Sequence, residues 1–262
     1  MAYSLPSSHE QDFMTLSPSQ NPAQASGGGG GQSLWGVPSE ILTLRENEMI
    51  FREGETPRGL YLLKSGAVKM VAKQTHARGR LSSPEYINKV VSPGELFGFK
   101  ALVKGGTYDY FAKTLKASEI HVFPRETVQQ MMSSTNPLVR MMLNQLVKDL
   151  EINESQNQTH YLASVQERIA HQLLALSDKF GTPTASGTSL NLRLTRHELA
   201  QLAGTINESL SRHLTELKDE GVLDVRGKEI VIKNREALVQ KAGQGAEPQP
   251  VFRGPSIPGL DQ

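Results

Sequence analysis

Helix-start, turn and hairpin signals follow one another at short intervals between residues 195 and 233, and this stretch restricts the fold more than any other. Thr195-x-x-Glu198 is a capping-box pattern, in which a hydroxyl and a carboxylate satisfy free backbone N–H groups at the start of a helix. Apolar spacing and glycine stops predict the elements that follow. They are a short helix at Arg196–Leu202, a break at Ala203–Thr205, a second helix at Asn207–Lys218, and a hairpin of Val222–Val225 and Glu229–Lys233. This order is typical of a winged helix-turn-helix.

The second of these helices has one apolar face and one polar face. Leu210, Leu214 and Leu217 recur at helical spacing, so they are predicted to face the core. In a helix-turn-helix the second helix enters the major groove of DNA, where arginine can donate two bonds to guanine and a carboxylate can accept one from cytosine. Base contacts are therefore predicted for Asn207, Glu208, Ser209, Ser211 and Arg212, and phosphate contacts for Thr195, Arg196, His213, Arg226 and Lys228.

Two other interpretations of Glu208 stay open. Glu208 and Arg212 lie four residues apart and would form an ordinary ion pair on the helix surface. Thr205-x-x-Glu208 is also a capping-box pattern, in which Glu208 would serve only to start the helix. The net charge of +1 does not decide between them, because it gives no indication of a nucleic-acid surface.

Residues 34–135 are predicted to form a small antiparallel barrel or jelly roll. Short apolar runs alternate here with turn signals rich in Gly, Pro and Ser, which is typical of all-β domains. The turn signals lie at Glu53–Gly54, Ser65–Gly66 and Ser92–Gly94. The predicted strands are Met49–Phe51, Gly59–Leu63, Ala67–Ala72, Tyr86–Val91 and Glu119–Phe123.

A long helix is predicted at residues 136–161, with Pro137 at its first helical position. Its stripe of Leu138, Met141, Met142, Gln145, Leu146 and Asp149 could pack on its own domain or pair with a second copy of the chain. We favour the pair, because a single long helix beyond a barrel has little else to bury against. The capping-box pattern Ser164-x-x-Glu167 then opens the DNA-binding domain, residues 162–242. The Ser-, Gln-, Pro- and Gly-rich ends, residues 1–33 and 243–262, are predicted to be disordered tails.

The composition disfavours several classes of protein. The chain has no Cys, which excludes disulfides and thiolate metal sites and suits the cytoplasm. Its first residues lack the basic and apolar parts of a signal peptide, and no run approaches the roughly 20 apolar residues of a membrane span. We find no paired carboxylates, histidine cluster or nucleophile motif, so the sequence predicts neither an enzyme nor a metal or other cofactor.

Several of these segments together resemble one family. Leu-Thr-Arg-x-Glu-Leu-Ala-x-Leu-Ala-Gly at residues 194–204 and Glu-x-x-Ser-Arg at residues 208–212 are similar to the DNA-binding module of the catabolite activator and fumarate–nitrate regulator (Crp/Fnr) family. Ser92-Pro-Gly-Glu-Leu-Phe-Gly-Phe resembles a turn of that family's sensor barrel, and the segments 50–55 and 60–68 resemble its first hairpins. The resemblance covers about residues 34–242. It implies an α+β homodimer with a cyclic-nucleotide-binding-like barrel, a dimerisation helix and control of RNA polymerase at palindromic promoter sites.

The recognition helix departs from the family pattern at its start. Family members usually have Ser or Thr at the N-cap, whereas this chain has Ile206 there, with Thr205 one residue earlier as a substitute cap. By resemblance, Glu-x-x-Ser-Arg indicates DNA half-sites similar to TTGA. The changed cap leaves open how Asn207 and Glu208 are aligned with the bases.

The barrel departs from the pattern of members that bind cyclic AMP. Those members resemble one another in a phosphate cassette, Gly-Glu followed about ten residues later by Arg-Ser. Here Gly98 precedes Phe99, and Tyr-Asp-Tyr stands near the arginine position. A carboxylate repels the phosphate that an arginine would bind, so cyclic AMP is not the predicted effector unless Lys100 or Lys104 replaces the arginine. The alternatives are an empty barrel controlled by a protein partner, or a pocket for another small-molecule effector formed by Gly98, Phe99, Tyr108, Asp109 and Tyr110.

Overall fold

The computed structural model describes residues 32–73, 85–133 and 136–243. The predicted disordered tails, 1–33 and 243–262, therefore lie outside the described residues apart from Gln32, Ser33 and Gly243. Gln32 and Ser33 pair with the next strand, so the first domain begins two residues before the predicted boundary at residue 34.

The described part of the N-terminal domain contains seven antiparallel strands and two short helices, which confirms the predicted class of fold. Hydrogen bonds join the strands in the order β1-β2-β7-β4-β5, while β3 pairs with β7 and β6 pairs with β4. The strands are β1 (Gln32–Leu34), β2 (Val37–Leu44), β3 (Met49–Phe51), β4 (Gly59–Lys73), β5 (Glu85–Val91), β6 (Leu96–Phe97) and β7 (Tyr110–Pro124), and the helices are α1 (Phe99–Lys104) and α2 (Arg125–Met131).

The sequence predicts two strands with a turn between them at Ser65–Gly66, whereas the structure has one continuous strand there, β4. It runs for 15 residues beside the equally long β7, because shifts of register around Ser65 let it bend without losing its partner. Gly66 has a φ of +97°, and a Cβ atom there would overlap Ser118 of β7. The glycine that indicates a turn in the sequence therefore marks a bulge within a continuous strand.

Two apolar cores stabilise this domain. One lies inside the sheet and is rich in aromatic rings. The other lies between the sheet, α1, α2 and a long helix, α3 (Pro137–Leu162), and includes Phe99 of α1 with Leu138 and Met142 of α3. The first part of the predicted α3 stripe therefore packs on its own domain, and only Leu146 of its apolar members is exposed. Helix α3 agrees with the predicted long helix to within one residue at each end.

The C-terminal domain contains the predicted helix-turn-helix and hairpin, with two additions. Its four strands form one antiparallel sheet in the order β10-β11-β9-β8. The sequence reasoning missed the hairpin of β8 and β9 and the last helix. The elements are α4 (Val165–Phe180), β8 (Gly181–Thr184), β9 (Gly187–Leu190), α5 (Arg196–Leu202), α6 (Asn207–Asp219), β10 (Leu223–Arg226), β11 (Glu229–Ile232) and α7 (Arg235–Ala242).

The core of the C-terminal domain continues onto the barrel. Val71, Ile87 and Val90, on β4 and β5, belong to the same buried cluster as Leu173 and Leu199 of the C-terminal helices. The two domains are therefore packed against each other through part of one sheet face. Within the described ranges, none of the helices is long and apolar enough to cross a membrane.

Candidate nucleic-acid interface

Helix α5 begins with the predicted capping box. The Thr195 hydroxyl accepts the backbone N–H of Glu198 at 3.2 Å, and the Glu198 carboxylate accepts the backbone N–H of Thr195 at 2.8 Å. The start of the helix-turn-helix is thus fixed by residues three apart in the chain. Ser164 and Glu167 form the same arrangement at the start of α4, as their spacing predicts.

Arg168 of α4 holds the turn between α5 and α6. Its guanidinium donates to the backbone carbonyls of Ala203 at 3.3 Å and Gly204 at 3.1 Å, both in the turn. It also donates to the carbonyl of Ala163 at 2.9 Å, in the link between α3 and α4. One side chain therefore connects the end of the long helix to the turn that precedes the recognition helix. Sequence reasoning missed this role because these contacts join positions up to 36 residues apart.

The N-terminus of α6 has no side-chain cap. Its N-cap residue is Ile206, whose side chain cannot accept a hydrogen bond and is 65% exposed. The suggestion that Thr205 caps the helix is wrong, because no side chain caps α6 and Thr205 belongs to the preceding turn, where its N–H donates to the carbonyl of Ala200. The first turn of α6 therefore has no side-chain acceptor for its free N–H groups, which leaves them to water or to an anion such as a phosphate.

The exposed face of α6 carries four polar side chains at helical spacing: Glu208, Ser211, Arg212 and Thr215. Asn207, at the first turn, is also exposed, whereas Ser209 is half-buried, and the opposite face is formed by the buried Leu210, Leu214 and Leu217. Thr215 was not among the predicted base contacts, although its position, three residues after Arg212, puts it on the same face.

The two other interpretations of Glu208 do not hold. Arg212 faces Glu216 rather than Glu208, with Arg212 Nε 3.8 Å from Glu216 Oε1. A capping box with Thr205 does not form, since Ile206 is the N-cap. Within the part of the chain that the structure describes, the Glu208 side chain makes no hydrogen bond or ion pair, so its carboxylate is free to accept from a ligand.

The predicted phosphate-contacting residues fall into two groups. Arg226 and Lys228 are exposed at the tip of the β10–β11 hairpin, and the Arg226 guanidinium pairs with Asp224, two residues away, at 3.2 Å. The others already have partners within the domain. Thr195 belongs to the capping box, the Arg196 guanidinium donates to the carbonyl of Gly227 at 3.4 Å, and His213 Nδ1 lies 2.7 Å from the Glu216 carboxylate.

The five residues of the predicted effector pocket separate into different surroundings. Tyr108 and Tyr110 lie in the aromatic core inside the sheet, whereas Phe99 lies in the other core, against α3. Asp109 is exposed and pairs with Lys100 at 2.5 Å, so this lysine already has an anionic partner. Gly98 is the N-cap of α1 with a φ of +81°, and a Cβ atom there would come within 2.7 Å of the Tyr61 ring.

Aromatic rings fill the interior of the sheet near these tyrosines. Phe51 is central, with ring centroids 3.8 Å from Tyr108, 5.4 Å from Tyr61 and 5.7 Å from Tyr110. Burial raises the pKa of all three tyrosines, so their hydroxyls stay protonated. The Tyr108 hydroxyl is buried near that of Tyr61 but makes no hydrogen bond of good geometry among the described residues. A ligand entering here would have to displace rings that now stack on one another.

Within the described ranges, no group of three or more His, Asp and Glu side chains is arranged to hold a metal ion.

Comparison with known proteins agrees with this division into two domains. The family model described as "Cyclic nucleotide-binding domain" matches residues 41–135, and the one described as "Crp-like helix-turn-helix domain" matches residues 167–241.

Individual proteins are similar over about three quarters of the chain. The fumarate and nitrate reduction regulatory protein of Escherichia coli K12 is 29% identical over 202 residues, which cover 76% of this chain and 77% of the relative. The CRP-like cAMP-activated global transcriptional regulator of Mycobacterium tuberculosis is 25% identical over 193 residues, 74% and 84% of the two chains. The structure of the c-di-GMP responsive global regulator CLP of Xanthomonas campestris matches with a TM-score of 0.62 and 25% identity, over 74% of this chain and 93% of the other. The resemblance stated from the motifs is thereby confirmed: the chain has a cyclic-nucleotide-binding-type N-terminal domain and a Crp-like DNA-binding helix-turn-helix domain, and it is a transcription regulator of the Crp/Fnr type.

Proposed function

We propose that this protein is a cytoplasmic homodimer that binds palindromic promoter sites through α6 and acts on transcription together with RNA polymerase, without enzymatic activity. The observation that carries the proposal is the polar face of α6. Glu208, Ser211 and Arg212 share one exposed face of the helix, and three buried leucines on the opposite face pack against the core. Because the leucines hold α6 against the core of the domain, its exposed polar side chains have a fixed position. Hydrogen bonding to the edges of DNA bases requires such a fixed position.

Arg212 is available to a base at small cost. Its contact with Glu216 is long, at 3.8 Å, and both side chains are largely solvated. Exposed pairs of this kind contribute only about 0–1 kcal/mol, less than the roughly 1–3 kcal/mol of a bidentate arginine–guanine contact. Binding to guanine is therefore favoured over the internal pair. The unpartnered Glu208 carboxylate supports the same proposal, because it loses no protein contact when it accepts from cytosine.

The dimer is supported by an apolar stripe on α3. Leu143, Leu146, Val147 and Leu150 are each more than 40% exposed, although they are large apolar side chains. They follow one another at intervals of three, one and three residues, which puts them on one side of the helix. A second copy of the same helix would cover the stripe and give two recognition helices related by a two-fold axis.

The barrel is proposed to work without cyclic AMP. The phosphate cassette is lost at Phe99, and Lys100 is engaged by Asp109 rather than free to bind a phosphate. The stacked rings around Phe51 favour a barrel that is filled by its own side chains. A second candidate, sensing of another small molecule, is favoured by the buried Tyr108 hydroxyl, which a ligand could satisfy by accepting its hydrogen bond.

One experiment tests these proposals together. The purified protein selects bound duplexes from a random DNA pool, in parallel with and without a small-molecule extract of cells. We expect an inverted repeat with half-sites similar to TTGA, recovered equally in both arms. A sequence recovered only with the extract would favour the sensor alternative and contradict a self-filled barrel. Recovery of no common sequence in either arm would contradict the proposed DNA binding.

A further inference from the structure

A buried carboxylate lies where three parts of the molecule meet. Glu95, in the turn between β5 and β6, is only 4% exposed. Its carboxylate accepts the backbone N–H of Ser92 at 3.0 Å, which fixes it within the turn. Lys148 of α3 approaches it at 3.3 Å, and Lys179 of α4 approaches it at 3.1 Å. The barrel, the long helix and the DNA-binding domain therefore each contribute one group to a single ionic cluster.

Lys179 is held in this cluster on two sides. Its ammonium group also donates to the backbone carbonyl of Val90 on β5, at 3.2 Å. Lys89, on the same strand, adds positive charge near Glu95 and pairs with Asp149 of α3 at 2.6 Å. Burial alone would raise the pKa of Glu95, but Lys179, Lys89 and Lys148 lower it to about 2. The carboxylate is therefore ionised at neutral pH, and removing its lysines would leave a buried charge without compensation.

A second contact joins the same two domains through Lys69, which lies opposite Val90 where β4 pairs with β5. Lys69 of β4 pairs with Glu198 of α5 at 2.6 Å, and both side chains are less than one-fifth exposed. Gln201 of α5 donates to the backbone carbonyl of Glu85 at 2.6 Å. Glu198 is also the carboxylate of the capping box at the start of α5. The barrel thus holds the first helix of the helix-turn-helix at its N-terminal turn.

Apolar packing does not complete this junction. A cleft of about 470 Å³ remains between the two strands and α5, lined among others by Val71, Ile87, Phe111 and His197. Apolar contacts restrict the distance between the two domains more than their relative orientation. Charge-assisted hydrogen bonds at two points have preferred directions and therefore restrict the orientation as well. The polar contacts between the two domains are therefore the groups able to set the orientation of the DNA-binding domain.

We propose that the pair Glu95–Lys179 is a positioning device that fixes the DNA-binding domain on its own barrel, so that the recognition helix is oriented for DNA without a bound effector. Lys69–Glu198 is the second point of the same attachment. The expected effect on DNA affinity rests on the proposed DNA binding, but the attachment itself can be measured without DNA. The attachment gives the barrel a role that does not depend on a ligand pocket.

The attachment is tested by a distance measurement within one protomer. The chain has no Cys, so Glu46→Cys in the barrel and Glu236→Cys in α7, both exposed, allow two spin labels to be introduced at defined positions. Labelled protein is mixed with excess unlabelled protein, and pulsed electron resonance gives the distribution of distances. The test variant is Glu95→Gln/Lys179→Met, because Glu95→Gln alone would leave buried lysines unpaired and endanger folding. The control is Lys64→Met/Glu119→Gln, which removes an ion pair of 2.8 Å within the barrel.

We expect a narrow distribution for the parent protein and for the control, and a broad one for the test variant. A test variant whose distance distribution is as narrow as that of the parent, or a parent whose distribution is already broad, would overturn the proposal.

DNA affinity supplies the second readout. If the loosened domain adopts the docked orientation for about one tenth of the time, the apparent Kd on the selected site rises about tenfold. A parent protein that binds no DNA would contradict the proposed function, and the distance distributions would still decide on the attachment.

Discussion

Replacing Arg212 by alanine tests the assignment of the recognition surface. A bidentate arginine–guanine contact contributes about 1–3 kcal/mol, and a symmetric dimer loses two of them, about 2–6 kcal/mol in all. The lost contact with Glu216 offsets little of this, because that pair is long and solvated. We therefore expect the affinity for the selected site to fall by a factor between about 30 and about 2 × 10⁴.

The assay is fluorescence anisotropy of a labelled duplex at constant salt, since the phosphate contribution to binding varies steeply with ionic strength. Arg235→Ala is the matched control: it removes one guanidinium from α7, where Arg235 pairs with Asp178 at 2.8 Å. The control should change affinity by much less than Arg212→Ala. Replacing the guanine of each half-site should weaken binding of the parent protein but not of the Arg212 variant. Equal sensitivity of both proteins to that base change would refute the assigned contact.

Four further predictions follow from the same structure. Cyclic AMP should show no saturable binding in titration calorimetry at micromolar concentration, because the loss of an arginine–phosphate contact of about 3 kcal/mol weakens such a site roughly a hundredfold, and micromolar binding would contradict this. Ile206→Ser should raise the free energy of unfolding by about 1 kcal/mol in denaturant titration, because it supplies the missing cap of α6, and a lower stability would argue against an uncapped start. Leu146→Glu should convert the proposed dimer to a monomer in light scattering, because it puts a charge into the exposed apolar stripe of α3, and an unchanged dimer mass would exclude that stripe as the interface. The pKa of Glu95 is lower in the folded than in the unfolded protein, so its stabilising contribution is present above pH 4.5 and is lost as the pH falls toward about 2. Glu95→Gln/Lys179→Met should therefore lose less stability than the parent over that range, and equal losses would contradict the pairing.

Features set by neighbouring residues could be predicted from the sequence. The capping boxes at Ser164 and Thr195 depend on contacts three residues apart, and both form as their spacing predicts. The outward face of α6 follows from the periodicity of three leucines. The partner of Arg212 could not be decided in this way, because Glu208 and Glu216 are both four residues away and local spacing permits either pair.

Features that depend on contacts between distant segments could not be predicted. Glu95 and Lys179 are 84 residues apart, and nothing in the sequence near either residue indicates that they meet. The separation of Phe99 from Tyr108 has the same origin, because α1 directs Phe99 toward α3 whereas β7 and the loop before it direct the tyrosines inward. The missed hairpin of β8 and β9 is short and largely polar, so it has no alternation of apolar residues to reveal it.

Hydroxyl-radical footprinting of the selected duplex is the most direct test of the central claim, that two copies of α6 read a palindrome. Two recognition helices related by a two-fold axis meet successive major grooves, so the account predicts two equivalent protected segments with centres about 34–36 Å apart, one helical turn of DNA. The Arg212→Ala protein should give neither segment at the same concentration. A single protected segment, or a footprint unchanged by that substitution, would contradict the account.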